Sequence, residues 1–128
     1  MKTVIIMGSL TDESHAKKIT DKLDEYKILW EKHVASAHKQ PLEVLKILDE
    51  NSEKKNIIYI TIAGRSNALS GFVAANSKHP TIGCPPFSDK SDMLVNIHST
   101  LQMPSKTPVL TVIDPGNCAL AVKRIFRV

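Results

Sequence analysis

The sequence predicts an α/β protein: a three-layer αβα sandwich, with helices covering both faces of one five-stranded parallel sheet. Three observations carry that reading. Apolar, β-branched runs alternate five times with stretches patterned for amphipathic helix. The first of these is a continuous β-branched run of the kind found in strands buried on both faces. The 128 residues contain no internal repeat, low-complexity tract or linker, so residues 1–128 read as a single domain. A chain of this length buries roughly two thirds of its unfolded surface, enough for a core without covalent staples.

The first strand is expected over Thr3–Met7 and ends at Gly8. A helix follows over Asp12–Tyr26, with Ala16, Ile19 and Leu23 at helical spacing. The second strand spans Ile28–Val34. The loop Ala35–Gln40 leads into Pro41, which suits the first turn of a helix. Leu42, Leu45, Ile47 and Leu48 line that helix as far as Asn51. The third strand is Ile57–Ile62, and its helix begins near Asn67 and carries Leu69, Phe72 and Val73. A short fourth strand, Thr81–Cys84, stops at Pro85-Pro86, where a cis bond is compatible with the sequence. One helix over Ser91–Gln102, a fifth strand over Val109–Ile113 and a last helix over Asn117–Phe126 complete the pattern. Right-handed crossovers then place the helices on both faces. The order expected for such a doubly wound, flavodoxin-like sheet is 2-1-3-4-5, with ligands bound outside the carboxyl ends of the strands beside strand one.

Composition narrows the function classes. No apolar run reaches the ~18 residues of a membrane span, and Val4–Met7 is too short for a signal-peptide core. No membrane partner is expected, and the protein reads as soluble and cytoplasmic. The net charge of +4 comes from scattered lysines, and aromatic residues make up only 5%, so no basic, aromatic-interleaved surface for nucleic acid is present. The positive balance instead favours phosphate-bearing small molecules. Cys84 and Cys118 have no second Cys or His at ligand spacing, so neither a structural zinc nor a disulfide is expected, and both read as buried thiols. His15, His33, His79 and His98 read as surface or packing residues, and Met7, Met93 and Met103 as core.

The chemistry sits in the loops after the first three strands. The first is Gly8-Ser9-Leu10-Thr11-Asp12. Gly8 allows close backbone approach. Ser9 and Thr11 stand at a helix start, where N–H groups attract anions. Asp12 either caps the helix or holds a ribose hydroxyl. The second is Ser36-Ala37-His38-Lys39, in which Ser36 and Lys39 offer a hydroxyl and a point charge to a phosphate. His38 between them titrates near neutrality and suits proton transfer. The third is Gly64-Arg65-Ser66-Asn67, a further set of donors, with Ser66 or Asn67 as the alternative helix cap. The expected strand order gathers all three at one edge. They imply a phosphate-bearing ligand and a proton-transferring histidine, without a metal or redox cofactor. They do not by themselves define a reaction.

Taken together the loops resemble the phosphoribosylaminoimidazole (AIR) carboxylase family of purine biosynthesis. The resemblance runs on through Cys84-Pro85-Pro86, Leu101-Gln102-Met103-Pro104 and Gly116-Asn117-Cys118-Ala119-Leu120, and so covers nearly the whole chain. Any one motif is weak; their order and spacing are specific. Thr11 stands where many relatives have Ser. The third loop, Ala63-Gly64-Arg65-Ser66-Asn67, lacks the second histidine of the mutase branch, which rearranges a carbamate form of the ribonucleotide. With Lys39 closing the second loop, this is similar to the branch that takes carbon dioxide directly (class II PurE-like). The resemblance implies that Ser9, Asp12, Ser36, Lys39, Gly64 and Ser66 bind aminoimidazole ribonucleotide, with Thr11, Arg65 and Asn67 assigned beside them. It implies that His38 moves the proton, that neither metal nor biotin is needed, and that the chain forms a homo-oligomer, an octamer.

Other readings of the same architecture are the mutase and a non-enzymatic phosphate-ligand module. A receiver module needs an acidic cluster after the first strand and an Asp after the third, where this chain has Met7-Gly8 and Ala63-Gly64. A flavin mononucleotide carrier needs aromatics flanking the loops, whereas Tyr26, Trp30 and Tyr59 fall within elements.

Overall fold

The computed structural model describes residues 1–128. The strands are β1 (Lys2–Met7), β2 (Leu29–Val34), β3 (Ile57–Ile62), β4 (Thr81–Gly83) and β5 (Leu110–Thr111), all parallel, in the order β2-β1-β3-β4-β5. The helices are α1 (Glu13–Glu25), α2 (Pro41–Asn51), α3 (Leu69–Ala75), α4 (Lys90–Asn96), α5 (His98–Leu101) and α6 (Pro115–Phe126). Successive strand residues point to opposite faces, and the core divides accordingly. Ile5, Met7, Ile58, Ile60 and Ile62 pack with Ala16, Ile19 and Leu23 of α1 and Cys118, Ala119 and Val122 of α6. Val4, Ile6, Ile57 and Tyr59 pack on the other side with Val44, Ile47 and Leu48 of α2 and Leu69 and Val73 of α3. The expected three layers and strand order are those observed.

The register positions the loops. Met7 lies beside Val34 on one side and Ile62 on the other, so the first three strands end level. Backbone bonds carry that alignment one residue further: Gly8 N–H donates to the Ile62 carbonyl (2.9 Å) and Ala35 N–H to the Met7 carbonyl (2.8 Å). The loops after β1, β2 and β3 therefore leave the sheet at one height.

Several boundaries differ from the sequence reading. Leu10–Asp12 forms a 3-10 turn before α1 begins at Glu13. The helix expected over Ser91–Gln102 breaks at Ile97 into α4 and α5. Ser99 Oγ donates to the Asn96 carbonyl (3.1 Å), and Thr100 N–H bonds Ile97 three residues back (2.9 Å), tightening the chain there. β5 shrinks to two residues because β4 offers it only Ile82 and Gly83 as partners. α6 starts at Pro115, with Asp114 accepting from Asn117 N–H (2.8 Å) as its cap. Every peptide bond is trans, including those at Pro85 and Pro86. Met7 is core, but Met93 and Met103 are only partly buried, because they sit on the outer α4–α5 layer and the stretch after it. No helix is long and apolar enough to cross a membrane.

Candidate active site

The three loops meet around a cavity of about 130 Å³. Gly8, Ser9 and Asp12 line it from the first loop, Ser36, Ala37 and His38 from the second, and Ala63 to Ser66 from the third. A second cavity, about 500 Å³, shares Ser9, Asp12, Gly64 and Arg65 with the first, so the two form one groove. Its far wall is Pro86, Phe87 and Ser88, with Asp92 and Asn96 of α4. Thr11 faces this second cavity rather than the first. Gly8 and Gly64 both have negative φ, so neither is needed for a left-handed turn. Both leave bare backbone along the cavity wall.

The first two loops are wired locally. Ser9 Oγ accepts from Thr11 N–H (3.3 Å) and from the Thr11 hydroxyl (2.9 Å). Asp12 stands at the cap position of α1 but makes no side-chain capping bond, so its carboxylate remains available to a ligand. Burial raises the Asp12 pKa above the ordinary carboxylate value, while the neighbouring His15 and the Ser9 backbone N–H pull against that rise. In the second loop Ser36 Oγ accepts from Lys39 N–H (3.2 Å), and Gln40 folds back onto Ser36 through its N–H (2.7 Å) and Oε1 (3.2 Å). This Ser turn presents His38 to the cavity. Lys39 is exposed and lines neither cavity.

The third loop is wired to distant chain. Asn67, assigned to the ligand from sequence, is 4% exposed and lines neither cavity. Its Oδ1 accepts from Ser70 N–H (3.1 Å) at the start of α3, which is the capping alternative. Arg65 and Ser66 are exposed at the cavity. The charge of Arg65 helps hold Asp92 below the ordinary carboxylate range, after the larger effect of the Ser88 backbone N–H that Asp92 accepts (2.9 Å).

Sequence reasoning missed the wall formed by Asp92 and Asn96 of α4. It also missed the company of His15. His15 Nε2 bonds the Cys84 carbonyl (3.0 Å) and lies 3.6 Å from Cys84 Sγ. Cys118 and His15 beside this sulfur hold the Cys84 thiol below its ordinary pKa against the effect of burial. Both cysteines are free and buried. No group of three or more His, Cys, Asp or Glu side chains is arranged to hold a metal ion.

Comparison with known proteins agrees with this arrangement. The AIR carboxylase family profile matches residues 2–128. A phosphoribosylaminoimidazole carboxylase of Archaeoglobus fulgidus is 48% identical over 126 residues, spanning 98% of this chain and 69% of that protein. A bifunctional phosphoribosylaminoimidazole carboxylase/phosphoribosylaminoimidazole succinocarboxamide synthetase of Drosophila melanogaster is 42% identical over 125 residues, 96% of this chain but 29% of that protein. The crystal structure of Treponema denticola PurE superposes with a TM-score of 0.93 at 44% identity, covering 98% of this chain and 80% of that one.

Proposed function

The chain belongs to the AIR carboxylase family, and from that premise we propose that it carboxylates aminoimidazole ribonucleotide in purine biosynthesis, reversibly and with carbon dioxide as the direct donor. The observation that carries this reading is the single groove in which His38 stands among Ser9, Asp12, Ser36 and the Gly64–Ser66 loop. The product is carboxyaminoimidazole ribonucleotide.

The chemistry needs little beyond these residues. The aminoimidazole ring is an enamine-like carbon nucleophile, which attacks carbon dioxide without biotin or a metal. The attacked carbon then holds both the new carboxylate and a hydrogen. His38 removes that proton and restores the aromatic ring. Ser36 and Lys39 receive the phosphate, Ser9 and Thr11 hold the nucleotide at the helix start, and Asp12 takes the ribose. Backbone N–H groups near Gly64, with Arg65 and Ser66, receive the growing carboxylate. Asn67 acts behind them.

Direct use of carbon dioxide is supported by the absence of a second histidine in the third loop. His79, the next along the chain, bonds the carbonyl of Asn51 (2.9 Å), the last residue of α2, away from the groove. The test is a carboxylation assay comparing carbon dioxide with the carbamate form as donor, with His38→Asn alongside. Turnover with carbon dioxide that falls by about 10²–10⁴ in the variant is expected. Turnover with the carbamate form alone would assign the chain to the mutase branch.

The protein acts in the cytoplasm as a homo-octamer. Leu42 of α2 is 80% exposed and Leu94 and Val95 of α4 are 66% and 72% exposed, apolar surface that further copies of the chain would cover. Sedimentation at micromolar concentration checks the assembly, and a monomer would refute it.

A further inference from the structure

Asn67 sits at the exit of the third loop with its side chain wholly buried and its polar atoms fully used. An amide side chain offers two N–H donors and a carbonyl acceptor. Here Nδ2 donates to Ser70 Oγ (2.9 Å) and to Thr100 Oγ1 (2.9 Å), while Oδ1 accepts from Ser70 N–H (3.1 Å). The Asn67 backbone N–H donates to Ser99 Oγ (2.9 Å), and that hydroxyl donates in turn to the Asn96 carbonyl (3.1 Å). Capping α3 explains only the Ser70 bonds. Two of the bonds cross instead to α5, 32 and 33 residues further along the chain. Through Ser99 the first of them reaches Asn96, which lines the second cavity.

We propose that Asn67 is a positioning residue for the carboxylation. With Ser99 and Thr100 it forms a strut that sets the Gly64–Ser66 backbone against the α4–α5 wall. The inference rests on the carboxylase reading for what that loop receives. Donors that stabilise a developing charge act because they are already in place when it forms, and a displacement of about 1 Å in such a site costs on the order of 10²-fold in rate. The third loop has no internal side-chain bond comparable to Ser9–Thr11 or Ser36–Lys39, so its placement depends on this external tie. The break at Ile97 is part of the same device: Ser99 bonds both the Asn96 carbonyl and the Asn67 N–H.

The test separates the two α5 bonds from the side-chain bond to Ser70. Thr100→Val keeps the side-chain shape and removes one strut acceptor; Ser99→Ala removes the other. Ser70→Ala removes only the Asn67 Nδ2 bond to Ser70 Oγ; the backbone cap at Ser70 N–H and both α5 bonds remain. Thr100→Val and Ser99→Ala are each expected to lower kcat by about 10-fold, with KM for the ribonucleotide within about twofold, as displaced transition-state donors require. Thr100→Ser should restore kcat, and Ser70→Ala should leave it near wild type. Equal losses of melting temperature in all three variants with unchanged kcat would overturn the proposal, since that is the signature of packing alone. Amide hydrogen exchange supplies a readout independent of turnover. Faster exchange at residues 64–67 in Thr100→Val, but not in Ser70→Ala, supports the strut, and unchanged exchange overturns it. A wild-type protein that fails to carboxylate while showing this exchange pattern would defeat the carboxylase reading and leave the strut standing.

Discussion

The two sides of the groove are held by different kinds of contact. On the β1–β2 side, Ser9 bonds Thr11, and Ser36 bonds Lys39 and Gln40, all within four residues. On the β3 side, Asn67 is held by residues 32 and 33 positions away, and Cys84 at the end of the next strand by His15, 69 positions away. Local turns order themselves whenever the strands before them end level. A loop tied across the chain is ordered only once the outer helices have docked. The first side therefore carries the groups proposed to grip the ribonucleotide and move its proton, and the second carries proposed donors whose position depends on the whole fold.

Variants can break that contrast, beginning where the effect is largest. His38→Asn removes the only histidine lining the groove, and a fall in kcat of about 10²–10⁴ is expected with an unchanged melting temperature, because His38 is exposed and makes no side-chain bond. Arg65→Ala, on the other side, should cost about 10-fold in kcat/KM through weaker stabilisation of the carboxylate; unchanged kinetics would remove Arg65 from the site.

The long-range tie at His15 can be probed by thermal denaturation. His15→Ala leaves the Cys84 carbonyl without its partner, a loss of about 1–3 kcal/mol for a buried group. Ser9→Ala, which breaks only a local exposed bond, should lose about 0.5–1 kcal/mol, within the range for cap-type hydroxyls. Equal losses would erase the distinction between the two sides.

The smallest expected effect concerns Asp12. Burial raises its pKa in the folded protein, so keeping it ionised costs stability at neutral pH. Asp12→Asn should therefore be slightly more stable at pH 7, by less than about 1 kcal/mol given its solvent screening. That advantage should shrink as pH falls through the raised folded pKa and vanish below the ordinary carboxylate value, where Asp12 is neutral in both states. The same variant should bind the ribonucleotide less tightly, so stability and function move in opposite directions at this residue.

What the residues determined alone follows the same division. Five apolar runs alternating with amphipathic stretches, and the right-handed crossover between parallel strands, determined the sheet order and the two-faced core. β1 and β3 could be read closely because strands buried on both faces run largely to β-branched and apolar residues. The loops after β1, β2 and β3 stood out because polar residues at three strand ends have no core role. Ser9, Asp12, Ser36, His38, Gly64, Arg65 and Ser66 do line one cavity. Tertiary structure alone decided the rest. Asn67, a ligand candidate from sequence, has two of its bonds on α5, and nothing in its neighbourhood in sequence announces those partners. The expected single helix split at Ile97 because a serine hydroxyl, bonded to a distant loop, captured a helical carbonyl. Cys84, Cys118 and His15 came together only through the packing of β4 against α1 and α6. Periodicity and turn chemistry are local and leave a mark on the sequence. Hydrogen bonds between segments tens of residues apart leave none, because many placements satisfy the same composition and only the docked helices select one.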